Sequence, residues 1–294
     1  MNNEKRSIGA IMLLAALPFP MRAVAADLKP ETTQAWQEYI NSVEARNREH
    51  LTRGNAFLSI DADPAQAAKL RQGHILAAPA APDAPVKVPG GLIHDWAGAV
   101  FLPGASVEDV FRVTRDYSRY SAVYHPNVVS AQPLQTGECE DRFAMRVMNQ
   151  SFFAKNALDS DYRTVFTRLD DQHWYSVSET TRVQEIADYG SLAQHMLPEG
   201  HGTGIIWRLY STARYEQRDG GVYVELEAIA LSRDIPAALR WFIDPIVRRV
   251  SRSSLVTSLR QTADAVRYRT MIITRSKNPG SAGSVNAAAA RAFR

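Results

Sequence analysis

Apolar positions recur along this chain first in a helical pattern and then in that of strands. Over residues 31–53, Trp36, Tyr39, Ile40, Val43 and Leu51 stand among charged residues at i, i+3, i+4, i+7 spacing, which predicts an amphipathic helix ended by Gly54. Residues 57–60 read as a short strand. Asp63-Pro64 then provides an N-cap with proline at the first helical position, opening a brief helix through Leu70 that Gly73 stops. Between 77 and 89, Pro79, Pro82, Pro85 and Pro89 among alanines sustain neither a helix nor a central strand. That segment reads as a stiff linker, with a boundary near residue 85.

From Leu92 the pattern is that of strands. A strand over 92–102 closes at Pro103-Gly104, after which Ser106 caps a helix with Glu108 and Asp109 in its first turn and Val107, Val110 and Phe111 on its buried side. Tyr117, Tyr120 and Tyr124 continue at near-helical spacing to His125-Pro126, predicting a second short helix. Six β-rich runs follow, at 128–134, 142–149, 152–166, 173–185, 204–217 and 222–232, separated by turn residues. Asp219-Gly220-Gly221 is the strongest hairpin signal, because it offers positive φ at little steric cost, and it makes these strands antiparallel. After Asp234-Ile235-Pro236, apolar residues from Leu239 to Val266 predict one long helix with a bend at Pro245, fraying beyond Arg269.

The first residues change the picture of where this fold resides. Lys5 and Arg6, an apolar run over 8–17 and Ala23-Val24-Ala25 form the three parts of a cleavable export signal. The apolar run is about half of the ~20 residues that span a bilayer. The expected organisation is therefore a signal peptide at 1–25, an N-terminal helical extension and linker at 26–85, a main domain at 86–269 and a disordered tail at 270–294. A periplasmic or secreted address follows from the signal. A net charge of +3, with acidic and basic residues interspersed, argues against nucleic acid as a partner.

Catalytic and metal chemistry find little support. A single cysteine, Cys139, excludes an internal disulfide and thiolate metal sites, and its flanking Glu138 and Glu140 disfavour a thiolate. His195, Glu199 and His201 form the tightest histidine cluster, but their spacing fits no zinc helix, so no metal and no cofactor is expected. The surrounding stretch, 189–204, reads as a flap over one end of the domain. No nucleophile elbow, phosphate-cradling glycine loop or internal repeat is present.

A strand, two short helices, six antiparallel strands and a long terminal helix make an α+β order in which a curved sheet covers a helix. With that order, and with Gly204-Ile205-Ile206-Trp207-Arg208-Leu209, Tyr223-Val224-Glu225-Leu226-Glu227 and Leu231-Ser232-Arg233-Asp234-Ile235-Pro236 leading to Trp241, the chain resembles the START-like superfamily of Bet v 1-type, polyketide cyclase-like and lipid-transfer proteins. It is also similar to a group of exported START-like proteins with an N-terminal helical extension. The resemblance implies a helix-grip fold of about seven strands. It further implies a cup between sheet and C-terminal helix, which in members of the superfamily holds lipids, sterols, quinones, hormones or polyketides.

Within such a cup, Tyr124, Trp207, Tyr223, Trp241 and Phe242 are the aromatics placed to bound a cavity, although core packing draws on the same residues. The last strand alternates between Val222, Val224, Leu226, Ala228 and Tyr223, Glu225, Glu227, Ile229. Glu225 and Glu227 then either pair across strands with arginines on an exposed face, or an inward Glu225 or Arg208 orients a ligand head group. The expected function is an exported carrier or sensor of a small apolar ligand such as a lipid, isoprenoid or quinone, with transient membrane-surface contact as an additional partner. Two alternatives stand beside it: a cyclase- or hydratase-type enzyme using polar groups in the same cup, and a scaffold that docks through the N-terminal helix.

Overall fold

The computed structural model describes residues 26–52, 55–81, 84–151, 154–235 and 237–277, with side chains for all of these save 149–151, 154–156, 237–244 and 273–277. The expected export signal at 1–25 and the chain from 278 lie outside the described residues. The element order is β1 (Ala26–Asp27), α1 (Pro30–Leu51), α2 (Pro64–Arg71), β2 (Leu76–Pro79), β3 (Val86–Val88), β4 (Gly91–Pro103), α3 (Val107–Thr114), α4 (Tyr120–Val123), β5 (Val128–Thr136), β6 (Glu140–Ser151), β7 (Ala154–Arg168), β8 (His173–Ala187), β9 (His195–Met196), β10 (His201–Gly202), β11 (Arg208–Arg218), β12 (Gly221–Arg233) and α5 (Ala237–Lys277).

Seven long strands run in the order β4-β12-β11-β8-β7-β6-β5, every adjacent pair antiparallel. Chain-end strands β4 and β12 thus pair with each other, and the two short helices bridge from β4 to the far edge at β5. The hairpin at Asp219-Gly220 turns as its sequence requires, with φ of 55° and 72°. Ser106 forms a full capping box with Asp109 at the start of α3, and Asp63 accepts from the Ala65 amide at the start of α2.

The long helix α5 packs across β4, β2 and α3. Leu255, Leu259, Ala263 and Val266 bury against Trp96, Val100, Leu102, Val222 and Val224, the even-numbered face of β4 and β12. Close approach depends on Gly98, where a Cβ would meet Leu259 and the Leu76 carbonyl at 2.9 Å and Leu255 at 3.0 Å. This gripping of a helix by a curved antiparallel sheet is the fold expected from the element order.

Three local expectations are corrected. Residues 57–60 do not form a strand: Ser59–Ala62 is a 3-10 turn whose first amides point to the Glu225 carboxylate rather than to a neighbouring strand. The proline-rich stretch is not a free linker, since β2 and β3 both pair antiparallel with β4. Proline is compatible with such short edge strands because an edge leaves one side of the backbone unpaired. Finally, α5 does not fray at Arg269 but continues to Lys277, where Arg269 donates to the Arg112 carbonyl and pairs with Asp116.

The N-terminal segment covers the other face of the sheet. Trp36, Ile40 and Val43 of α1 bury against Ile93, Trp207, Tyr210, Ile229 and Leu231, while Phe57, Leu58, Ile60 and Leu70 bury against Ala99, Phe101 and Tyr223. The sheet is therefore sandwiched between two helical layers, with the odd-numbered set of β12 covered by the N-terminal segment and Val222 and Val224 of the even-numbered set by α5.

Candidate functional site

The inner face of the sheet is the candidate site. Its residues are fixed by cross-strand register: Ala228 lies opposite Ser211, Ser211 opposite Ser178 and Ser178 opposite Thr164. One step along are Leu226, Ala213, Ser176 and Phe166. Thr164 Oγ1 donates to Ser178 Oγ at 2.8 Å, and Tyr215 and Ser176 share a hydroxyl contact at 3.4 Å, which places these side chains on one surface.

Burial along this surface falls toward the end of β12 on β12 and β11 and, between Ser176 and Thr180, on β8. On β12, Val222 and Val224 are buried whereas Leu226, Ala228 and Ala230 are half-buried. On β11, Tyr215 and Ala213 are buried whereas Ser211 and Leu209 are half-buried; on β8, Ser176 is buried whereas Ser178 and Thr180 are half-buried. The C-terminal half of α5 closes one end of the surface, and the part toward the end of β12 stays accessible. The side chains there include the small Ser178, Ser211 and Ala228.

Aromatic side chains wall this space toward α3, α4 and β6. Tyr117, Phe143 and Tyr162 stack with centroids 4.2 and 4.8 Å apart, and Phe111 meets Phe166, Trp174 and Tyr215 edge-on. Burial raises the Tyr120, Tyr124 and Tyr162 hydroxyls above their ordinary range and pushes Tyr215 up to about 12, so all four stay neutral. Tyr124 reaches Thr262 of α5 at 3.0 Å and Gln261 donates to the His125 carbonyl, tying this wall to the helix. Tyr162 has a buried hydroxyl without a hydrogen-bond partner of good geometry.

Asp141 is the carboxylate beneath this wall, and its oxygens are already engaged. Arg115 donates to both at 2.8 Å, Tyr117 donates at 2.8 Å and the Gly137 amide at 3.1 Å. It anchors α3 to the β5–β6 hairpin and leaves no free oxygen for proton transfer to a ligand.

Of the residues singled out from sequence, Tyr124 lies on the inner side, against α5. Trp241 and Phe242 lie on the first turns of α5, and their side chains are among those not described. Trp207, Arg208, Tyr223 and Glu225 belong to the opposite face, under the N-terminal segment or at its margin, and do not line the cup. Trp207 packs with Trp36 and Ile40. Tyr223 stacks on Phe101, and its hydroxyl donates to Asp219 and accepts from Arg71. Arg208 is half-buried and pairs with Glu199 at 3.1 Å.

Glu225 does pair across strands, with Arg214 at 2.6 Å, but the pair is buried rather than exposed. The Ser59 and Ile60 amides donate to the same carboxylate at 3.2 Å, so it holds the N-terminal segment down. Glu227 accepts from Arg46 of α1 at 2.5 Å, and Asp95 beside it accepts from the Tyr39 hydroxyl at 2.7 Å. Burial, then the neighbouring Glu227 charge, pushes the Asp95 carboxyl up to about 7. Strand alternation separated these two faces but carried no signal of what covers each.

His195, Glu199 and His201 do not converge: His195 contacts its own loop, Glu199 pairs with Arg208 and His201 contacts Asp27. Among the described residues no cluster of three His, Cys, Asp or Glu side chains is placed to hold a metal ion. The stretch around them is stitched down by β1 pairing with β10 and β8 with β9.

No family model and no curated protein matches the chain. Solved structures do. A STAR-related lipid transfer protein fragment from Xanthomonas axonopodis is 18% identical, covering 63% of this chain and 96% of its own, with a TM-score of 0.38. Zhui aromatase/cyclase from Streptomyces sp. R1128 is 13% identical, covering 60% and 96%, with a TM-score of 0.40. Human STARD10 is 8% identical, covering 78% and 87%, with a TM-score of 0.41. These scores bear on neither ligand nor activity, and the chain's own strand order and helix position give it the helix-grip fold.

Proposed function

We propose that the protein is an exported, non-enzymatic carrier or sensor that holds a small, largely apolar molecule between its sheet and α5. The observation that carries this reading is the gradient of burial on β12, β11 and β8, which leaves a contiguous inner surface accessible beside aromatic walls. Such a surface is mostly carbon with a few hydroxyls, the composition of small-molecule sites in general. Among the described residues that wall it, the tyrosines are held neutral and Asp141 is already saturated, which supports binding over acid–base chemistry.

The N-terminal helix spends its apolar stripe on its own sheet, which supports an integral role for α1 over docking to another protein. Native mass spectrometry on protein purified from the periplasm of an expressing bacterium tests the proposal. A stoichiometric lipid-like adduct is expected; protein that carries none, and gives no saturable signal with fluorescent fatty acid, isoprenoid or sterol probes, would overturn it.

A further inference from the structure

A second cleft lies where α5 meets the β2–β4 edge of the sheet, apart from the accessible inner surface near the end of β12. A cleft of about 440 Å³ runs between α5 and the turn that carries Gly73, His74 and Ile75, with Val100 of β4 at its base. Arg252, Arg260 and Arg267 line it from α5, with Val256 and Ala263 between them. Successive arginines are eight and seven residues apart, so they lie on one face at intervals of about 12 and about 10 Å along the helix. The small residues between them form a trough rather than a ridge.

Charge balance distinguishes this cleft from the sheet. Arginines of the sheet are matched: Arg146, Arg163, Arg182, Arg214 and Arg218 each pair with carboxylates. Residues 245–263 contain four arginines and no acidic residue. Among the described residues, Arg252 and Arg260 have no carboxylate partner within 4.0 Å. The one acidic residue of the cleft, Asp264, sits about one turn from both Arg260 and Arg267 and pairs with Arg267 at 3.5 Å. The planar forks of guanidinium groups without carboxylate partners suit phosphate oxygens.

We propose that this cleft binds a phosphate-bearing ligand, with Arg252 and Arg260 as its main contacts and Arg267 at its end. A ligand with charges spread over two phosphate groups fits the spacing better than a single small anion. The phosphate can belong to a soluble ester or to a lipid head group, since the cleft opens to solvent along α5.

The test uses the full chain and two probes. Inorganic pyrophosphate is titrated by calorimetry, and flotation is compared on phosphatidylcholine vesicles with and without phosphatidylglycerol. Pyrophosphate binding that weakens as salt rises, and falls about tenfold or more in Arg252→Gln/Arg260→Gln, is expected; Arg119→Gln, an exposed arginine elsewhere, should bind as the parent does. Arg260→Lys should retain part of the affinity, separating charge from structure. Flotation only with phosphatidylglycerol, competed by pyrophosphate, would assign the phosphate to a lipid; pyrophosphate binding without flotation would assign it to a soluble ester. The proposal is overturned if neither probe binds, or if the double variant binds as well as the parent.

Discussion

Two buried acidic residues show how charge is used on the face that α5 does not cover. Glu225 and Arg214 are about 95% buried and hydrogen-bonded to each other, so removing one leaves the other charged and dry. Glu225→Gln is expected to cost about 3–5 kcal/mol in urea unfolding. A paired Arg214→Met/Glu225→Leu replacement should recover only part of the loss, because the Ser59 and Ile60 amides still lose their acceptor; a double variant less stable than Glu225→Gln would refute this account. Asp95 holds its proton more tightly in the folded protein than the ordinary carboxylate value of 3.8 allows. Its contribution to stability is thus fully present below pH 4 and is lost as pH rises through about 7. Unfolding measured between pH 4 and 8 should show stability falling with pH from this group, and Asp95→Asn should flatten that slope; an unchanged slope in the variant would remove Asp95 as the cause.

At the level of elements, contact between α5 and the sheet depends on one position without a side chain. Gly98→Val places carbon atoms where Leu255, Leu259 and the Leu76 carbonyl already stand, and backbone oxygen cannot swing aside as a side chain can. A loss of at least 1–3 kcal/mol, roughly the cost of an overpacked core, and faster amide exchange over the C-terminal half of α5 are expected; unchanged exchange would mean that the helix is held elsewhere. Elements with a local chemical signature were readable from sequence: the Ser106 box, the Asp63 cap, the Asp219-Gly220 turn and the alternation of β12. What covers Glu225 and Glu227 was not, because alternation reports that a strand has two faces and acidic residues on one of them suggest water. Here they are buried by partners at distant positions, Arg46 and the amides of 59 and 60. For the same reason the sequence alone suggests Trp207 and Tyr223 as cup aromatics, whereas the N-terminal segments that pack on them precede them by about 150 residues or more. The edge strands β2 and β3 were hidden by their prolines, whose effect depends on whether a second neighbour strand exists.

At the scale of the whole molecule, one sheet separates two layers of different character, and the difference bears on function. Opposite α5, the N-terminal segment is fixed by apolar burial and by ionic ties, and the side chains it covers are large. Beneath α5, the positions nearest the end of β12 carry serine and alanine and remain accessible. If that space admits a ligand, filling it from the protein side should block entry without straining the fold. Ser211→Trp puts an indole over Ser178 and Ala228, its register neighbours. Uptake of a fluorescent fatty acid or sterol probe should then be lost while Tm stays within about 2 °C, since surface or cavity substitutions that strain nothing change stability little. A fall of several degrees would instead show that the space is filled by the protein's own side chains, as overpacking is destabilising. In that case the half-burial of Ser211 reflects an edge of the core and not the mouth of a site, and the carrier reading loses its footing.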